Sequence, residues 1–375
     1  MLNRIIQCCL VSGHILPNLI PLLDTKNRPS KIWFFETEDV AHNGKKLEKI
    51  CKSLGVAVER YMVDPFDIQD IYSKFSLFLE RFSGQRAELN VTGGTKIMAL
   101  GAYEACRGIF DSIFYIDTQN DRRVEISPRQ QVSPLADVLT VRNCLQAYGY
   151  SLHSTDQASV PKEFRQATSL LARRAGEFQK PLRTLNYYAS RAASQQTLCA
   201  DMQPDVLRWK SFLELLQILK GAGILDWDAQ GRLLFAGEDE RFFANGGWLE
   251  QYVWSVVVRL RHDKVVTDLG ANLEVVSENK VKNEIDVAFT ARNRLFLIEC
   301  KTRNFHNPDY AQEAIYKLQS LRQNLSGIYG KAVLISFSNL PFHERQRCID
   351  NGIELVQGQN LENIVGFLKK CIDEA

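Results

Sequence analysis

Glu250, Asp286, Glu299 and Lys301 are the residues of this 375-residue chain whose types and spacing can do chemistry together. Asp286 closes the run Asn283-Glu-Ile-Asp286, and Glu299-Cys-Lys301 ends the apolar run that starts at Leu295. Two carboxylates can hold Mg²⁺ or Mn²⁺, hard cations that prefer oxygen ligands. Such a cation polarises a phosphodiester and stabilises the charge that develops on it. A lysine beside it can orient or deprotonate the attacking water, or neutralise the pentavalent phosphate. The candidate metal set is Asp286, Glu299 and the backbone carbonyl of Cys300. Glu250, in Gly246-Gly-Trp-Leu-Glu250, can add a further carboxylate.

The elements that must position these groups can be read from the same stretch. Residues 299 and 301 share a face if 294–299 is a strand, because strand side chains alternate with period two. A second strand over 285–289, antiparallel to the first, would bring Asp286 to the same sheet end. Glu250 falls on a helix over 248–260. A strand over 273–277, a helix over 308–325 and a strand over 332–336 complete the region. An E-x-K tripeptide alone is more often a solvated ion pair; the helix Glu and strand Asp upstream shift the balance. Helix Glu, strand Asp and E-x-K, in this order, resemble the restriction-endonuclease-like PD-(D/E)xK superfamily over residues 239–375. Glu284-Ile-Asp286 stands where a literal Pro-Asp would be. The resemblance implies an α/β fold and metal-dependent cleavage of DNA or RNA. Thr302, Gln312 and Tyr316 can face the site, the last two one helical turn apart, and His306 is the closest histidine.

A second constellation lies near the start. The run 87–91 leads through Thr92-Gly-Gly-Thr-Lys96 into an apolar helical stretch. Strand, glycine turn and helix N-terminus form an anion-binding device: glycines let backbone N–H groups approach a phosphate, and the helix dipole favours negative charge. Thr95 can cap the helix and Lys96 supplies a cation. Neither G-x-x-x-x-G-K-[ST] nor G-x-G-x-x-G is present, which removes the usual ATPase and dehydrogenase readings.

The surroundings of this loop alternate. Strands are expected at 5–11, 31–36, 56–63, 87–91, 112–117 and 123–127, with helices at 17–26, 45–54, 66–82 and 95–108. Alternation of this kind predicts a doubly wound, mostly parallel sheet with ligands at the carboxyl ends of its strands. Asn90-Val-Thr-Gly-Gly-Thr-Lys96 resembles a signature of CARF domains, the Rossmann-like sensors of cyclic oligoadenylates in type III CRISPR defence. The resemblance covers about residues 1–135. It implies a ligand site at Ser12, Gly13, Thr92, Gly93, Gly94, Thr95 and Lys96. Between the two regions, 136–238 reads as mainly helical, with windows at 161–174, 181–193 and 204–220. A hairpin pattern around Asp228-Ala-Gln-Gly231 follows them, which suits a winged helix or a plain connecting domain.

Composition bounds what these sites can be. A net charge of +2, with 24% charged and 45% hydrophobic residues, is ordinary for a soluble protein, so any nucleic-acid-binding surface must be local. None of the nine cysteines forms a C-x-x-C pair, and no signal peptide or membrane-length apolar run appears, so a cytoplasmic, reducing setting is expected. No histidine follows an arginine at R-x(4–6)-H, the spacing of the HEPN ribonucleases common in such sensors. The two resemblances together imply a CARF–nuclease effector: a homodimer, with no membrane partner, that cuts nucleic acid when a cyclic oligoadenylate, cyclic tetraadenylate foremost, binds the sensor. A stand-alone restriction or repair nuclease, and a ligand-responsive winged-helix transcription regulator, are the other readings.

Overall fold

The run Ile5–Leu10 (β1) is buried at every residue and forms an interior strand of a seven-stranded sheet. The structure is a computed structural model that describes residues 5–81, 85–156, 160–302, 308–326 and 329–374. In chain order the first region contains α1 (Leu16–Leu23), β2 (Lys31–Glu36), α2 (Ala41–Ser53), β3 (Ala57–Met62), α3 (Ile68–Arg81), β4 (Arg86–Asn90) and α4 (Lys96–Cys106). It ends with β5 (Ser112–Asp117), β6 (Arg122–Ser127) and β7 (Gln131–Pro134). The strand order is β3-β2-β1-β4-β5-β6-β7, parallel as far as β5 and antiparallel beyond it. This is the doubly wound sheet that the alternating sequence demands. Only β7, short and polar, has no apolar pattern to announce it.

The next elements are α5 (Val141–Ala147), β8 (Tyr150–Asp156), α6 (Lys162–Arg173), α7 (Ala175–Ser194), β9 (Cys199–Asp201), α8 (Lys210–Gly221), β10 (Leu225–Trp227) and β11 (Arg232–Phe235). The helix and hairpin expected around 204–235 are present as α8, β10 and β11, and β9 adds a third strand. The helix expected over 181–193 starts earlier, and Pro181 lies inside it rather than near its first turn. Burial of Phe178, Leu182 and Leu185 along this face holds the helix through the lost backbone donor. This stretch has no core of its own: Phe178, Leu216 and Leu233 belong to one apolar cluster with Val253, Phe289 and Phe296 of the last region.

That last region contains α9 (Glu238–Phe242), α10 (Trp248–His262), β12 (Asp268–Ser277), β13 (Lys282–Ala291), β14 (Arg294–Lys301) and α11 (Pro308–Ser326). It continues through β15 (Lys331–Ser336), α12 (Phe342–Asp350), β16 (Ile353–Gln357) and α13 (Ile364–Asp373). Its sheet runs β16-β15-β14-β13-β12-β8, with β14, β15 and β16 parallel and the other pairings antiparallel. The outer strand β8 comes from residues 150–156, upstream of the helices it precedes in sequence.

Apolar clusters divide the molecule into five layers. Phe75 of α3 and Met98 of α4 cover one face of the first sheet. Leu19, Leu47 and Leu145 of α1, α2 and α5 share a middle layer with Ile315 and Leu318 of α11, between the two sheets. The far face of the second sheet packs on α10, α13 and the helices of 160–221. One hairpin also joins the halves. Arg292 and Asn293, at φ 49° and 52°, make the two-residue turn between β13 and β14. The Asn293 side chain accepts from the N–H groups of Val138 and Leu139 at 3.0 and 3.2 Å, and donates to Asp121 Oδ1 and Ala136 O at 2.8 and 3.0 Å. Arg294 donates to the carbonyls of Gln119 and Thr118 at 2.6 and 3.3 Å.

Candidate active site

At the other end of that hairpin, β13 and β14 bring the acidic residues together. Their register pairs Val287 with Ile298, and one step further sets Asp286 opposite Glu299. Asp286 Oδ2 accepts the backbone N–H of Cys300 at 2.6 Å, while Oδ1 accepts no hydrogen bond from the described residues. The Cys300 thiol lies in the apolar cluster on the far side of the sheet. Burial, then the charges of Asp286 and Glu250, keeps it protonated, so only its carbonyl can serve as a ligand. Lys301 follows on the Glu299 face, its Nζ 2.6 Å from Glu299 Oε1.

Glu250 reaches the site from the first turn of α10. Gly246, at φ 118°, turns the chain into that helix. A Cβ there would lie 2.1 Å from Thr302 Oγ1, so the approach of the helix to the end of β14 needs glycine. Glu250 and Asp286 line one cleft of about 310 Å³ with Gln251 and Asn272, and Asn272 stands opposite Asp286 on β12 at φ 48°. Glu299 and Lys301 do not line it. Burial raises the pKa of Glu250, and the charge of Asp286 raises it further. Burial and the charge of Glu299 do the same to Asp286. Burial alone would lower Lys301, but the charges of Glu299 and Asp286 outweigh it and hold the ammonium form.

The glycine loop lies at the carboxyl end of β4, beside the loop after β1. A Cβ on Gly93 would meet Leu10 O at 2.1 Å, and Gly94 has φ 73°. Thr95 caps α4, accepting from Met98 N–H at 3.1 Å and donating to Pro65 O at 2.6 Å. The Thr92 hydroxyl donates to Asn90 Oδ1 at 2.6 Å and accepts from Ile116 N–H at 2.7 Å. Both threonine hydroxyls are therefore used in shaping the loop. Ser12 Oγ donates to His14 O at 3.1 Å. Gly13 and Lys96 are exposed, and Lys96 has no acidic partner among the described residues.

Residues 6–144 match the family model described as the Card1 CARF domain, and residues 237–374 match the Card1-like endonuclease domain. Can2 from Sulfobacillus thermosulfidooxidans, solved in complex with cyclic tetra-adenylate, is 30% identical; the match covers 98% of this chain and 99% of Can2, with a TM-score of 0.81. The chain belongs to the CARF–nuclease effectors of type III CRISPR systems. Protein VC1899 from Vibrio cholerae is 26% identical over 99% of this chain and 98% of its own, with a TM-score of 0.90. A type III CRISPR defence DNA nuclease activated by cyclic oligoadenylate shares the fold at 18% identity and a TM-score of 0.57, over 88% of this chain and 45% of that one. No curated protein sequence matches.

In this CARF–nuclease chain several residues at the two sites carry weak signals in sequence. Lys317 of α11 contacts both Glu299 oxygens, at 3.0 and 2.9 Å. Its signal is helical phase: it lies three residues after buried Ala314 and four before buried Leu321, on the face that should be apolar. Asn18 and Asn90, both buried, tie the ligand loops together: Asn90 Nδ2 donates to Asn18 Oδ1 at 3.1 Å, and Asn18 Nδ2 to Leu10 O at 2.9 Å. Thr302 is buried beside the start of α10. Tyr316 turns outward, 51% exposed, with the Arg347 guanidinium 5.7 Å from its ring, so it does not join the site. Gln312 is half-buried on the same helix. His306 lies outside the described residues. Among the described residues, no helix is long and apolar enough to cross a membrane.

Proposed function

We propose that this effector is a divalent-metal-dependent nuclease, acting as a homodimer and switched on by a cyclic oligoadenylate, with cyclic tetraadenylate the first ligand to try. The observation that carries the reading is the register that sets Asp286 against Glu299, beside Lys301 and the Glu250 cleft. The ligand part rests on the likeness to Can2 with its bound cyclic tetra-adenylate and on the exposed Gly13 and Lys96 beside the tight glycine turn. A two-fold ring ligand suits a C₂ dimer. The exposed Ile97 and Leu100 of α4 offer an apolar face next to the loop for it.

Metal binding is supported by chemistry rather than by ready-made geometry. Among the described residues, no three His, Cys, Asp or Glu side chains already stand in ligating positions. What fits a cation is the charge. Glu250 and Asp286 repel one another in a partly buried cleft, and among the described residues Asp286 Oδ1 accepts no hydrogen bond and Gln251 Oε1 is buried without one. Asp286, Glu299 and the Cys300 carbonyl would hold Mn²⁺ or Mg²⁺. When bound, the cation would polarise the phosphodiester and stabilise developing charge. Lys301, held as an ammonium, suits stabilising the pentavalent phosphate and orienting water better than taking its proton. Glu250, whose raised pKa lets it exchange protons near neutrality, is the better candidate to receive one.

The decisive experiment follows cleavage of DNA and RNA, single- and double-stranded, with and without cyclic tetraadenylate, in Mn²⁺ and in EDTA. Cleavage that needs both additions is expected. Asp286→Asn and Glu299→Gln should each lower it at least ~100-fold, more than the loss of an outer partner of a metal ligand, while ligand binding stays. Lys301→Ala should lose cleavage and keep Mn²⁺ binding. Metal-dependent cleavage indifferent to the ligand would favour a stand-alone nuclease. Ligand binding without cleavage of any substrate would favour a transcription regulator.

A further inference from the structure

Glu299 is 1% exposed and has two ammonium groups on one carboxylate. Lys301 bonds Oε1, and Lys317 lies 3.0 Å from Oε1 and 2.9 Å from Oε2. Lys317 has no other acidic partner among the described residues. The family pattern already supplies one ammonium for this carboxylate, Lys301. The second ammonium comes from a different element, α11, and sits across both oxygens as a bidentate cation would. With Lys317 in place, both Glu299 oxygens already carry an ammonium, which a metal must displace to be held by the two of them. Among the described residues, Glu250 and Asp286, the two carboxylates that line the cleft, have no ammonium in direct contact.

We propose that Lys317 is a positioning residue that stands in for the divalent cation on Glu299, holding the carboxylate ready in the metal-free protein and releasing it on loading. The inference rests on the metal-dependent reading above. With Glu250, Asp286 and Glu299 all ionised, three carboxylates and two lysines leave the site one negative charge. A divalent cation reverses the sign, and the phosphodiester then neutralises it. Lys317, released from Glu299 but still beside it, is a cation free to face that phosphate. The cost of the arrangement is affinity: the incoming metal must displace one ammonium and remain near two.

The test is a Mn²⁺ titration of the full-length protein by calorimetry, comparing wild type, Lys317→Met and Lys317→Arg, with Asp286→Asn as the variant lacking the site. Lys317→Met is expected to bind Mn²⁺ about tenfold tighter, because a competing charge has gone. Lys317→Arg should stay within about threefold of wild type, since the guanidinium keeps the charge. The Mn²⁺ concentration for half-maximal cleavage should fall in parallel with the dissociation constant. A lysine that merely supported the fold would give weaker or unchanged binding on removal. That outcome, in a folded Lys317→Met or in Lys317→Gln should the first not fold, overturns the proposal. If instead wild type binds no Mn²⁺ and cleaves in EDTA, the metal-dependent reading falls and the placeholder with it.

Discussion

His14 stands where the sensor meets the nuclease. Its ring centroid is 5.2 Å from that of Tyr329, and its Nε2 is 3.4 Å from Thr118 Oγ1. Burial pushes its pKa down from 6.5 to about 4. Between those values the unfolded chain takes up a proton that the folded protein refuses, so stability falls as pH is lowered through this window and returns as it is raised. Thermal melts from pH 4 to 7 should show a steeper loss in wild type than in His14→Gln. Parallel curves would mean that His14 carries no such burden. The same contrast between type and setting governs the candidate catalytic residues. Glu250, Asp286, Glu299 and Lys301 were legible from type and spacing, because E-x-K with an upstream Asp and a helix Glu is a chemical pattern. Lys317 was not, because its role comes from the helix packing that carries it over Glu299. Thr92 and Thr95 were legible as residues of the loop, but their hydroxyls turn inward to Asn90, Ile116, Met98 and Pro65, partners fixed only by the fold.

Elements follow the sequence where burial is regular. All six strands expected in the first region form within a residue or so of their expected ends, since apolar runs covered on both faces leave few alternatives. What sequence periodicity could not give was partnership across distance. The pairing of β8 with β12 and the place of Pro181 inside α7 depend on surfaces contributed from elsewhere. The start of α10 shows the same dependence at the candidate active site. Gly246 combines a φ of 118° with a Cβ position 2.1 Å from Thr302 Oγ1, so the approach of the helix to β14 depends on having no side chain there. Gly246→Ala is expected to cost ~2–4 kcal/mol by strain and overpacking. It should also displace Glu250 and lower cleavage, with cyclic oligoadenylate binding unchanged. Denaturant unfolding and calorimetry check the two halves of that expectation; wild-type stability would show that the chain relaxes there.

At the scale of the molecule, sensor and nuclease share a middle layer and are pinned by one turn. Asn293 and Arg294 sit 3% exposed against 118–121 and 136–139, and the strands that they join carry Asp286 and Glu299 at the far end of their pairing. The expectation is that a shift of the sensor edge travels to the candidate carboxylates along two paired strands, as a change between discrete packings. Asn293→Ala leaves two backbone donors unpaired. It should weaken ligand stimulation several-fold while basal cleavage in Mn²⁺ persists, which turnover with and without cyclic tetraadenylate will measure. Equal stimulation in variant and wild type would place the coupling elsewhere. The strand β8 bears on the chain in another way. Residues 150–156 fall between the two matched stretches, 6–144 and 237–374, yet they close the nuclease sheet along β12. A fragment beginning at residue 237 would leave the ten-residue β12 as an open edge, its N–H and C=O groups free to recruit another chain. Such a fragment should self-associate in light scattering more strongly than one that begins before residue 150, both having lost the sensor's side of the middle layer. The effector half is therefore not a cassette that evolution or an engineer can graft onto a new sensor at residue 237. Whatever replaces the sensor must bring, or keep, the strand that seals it.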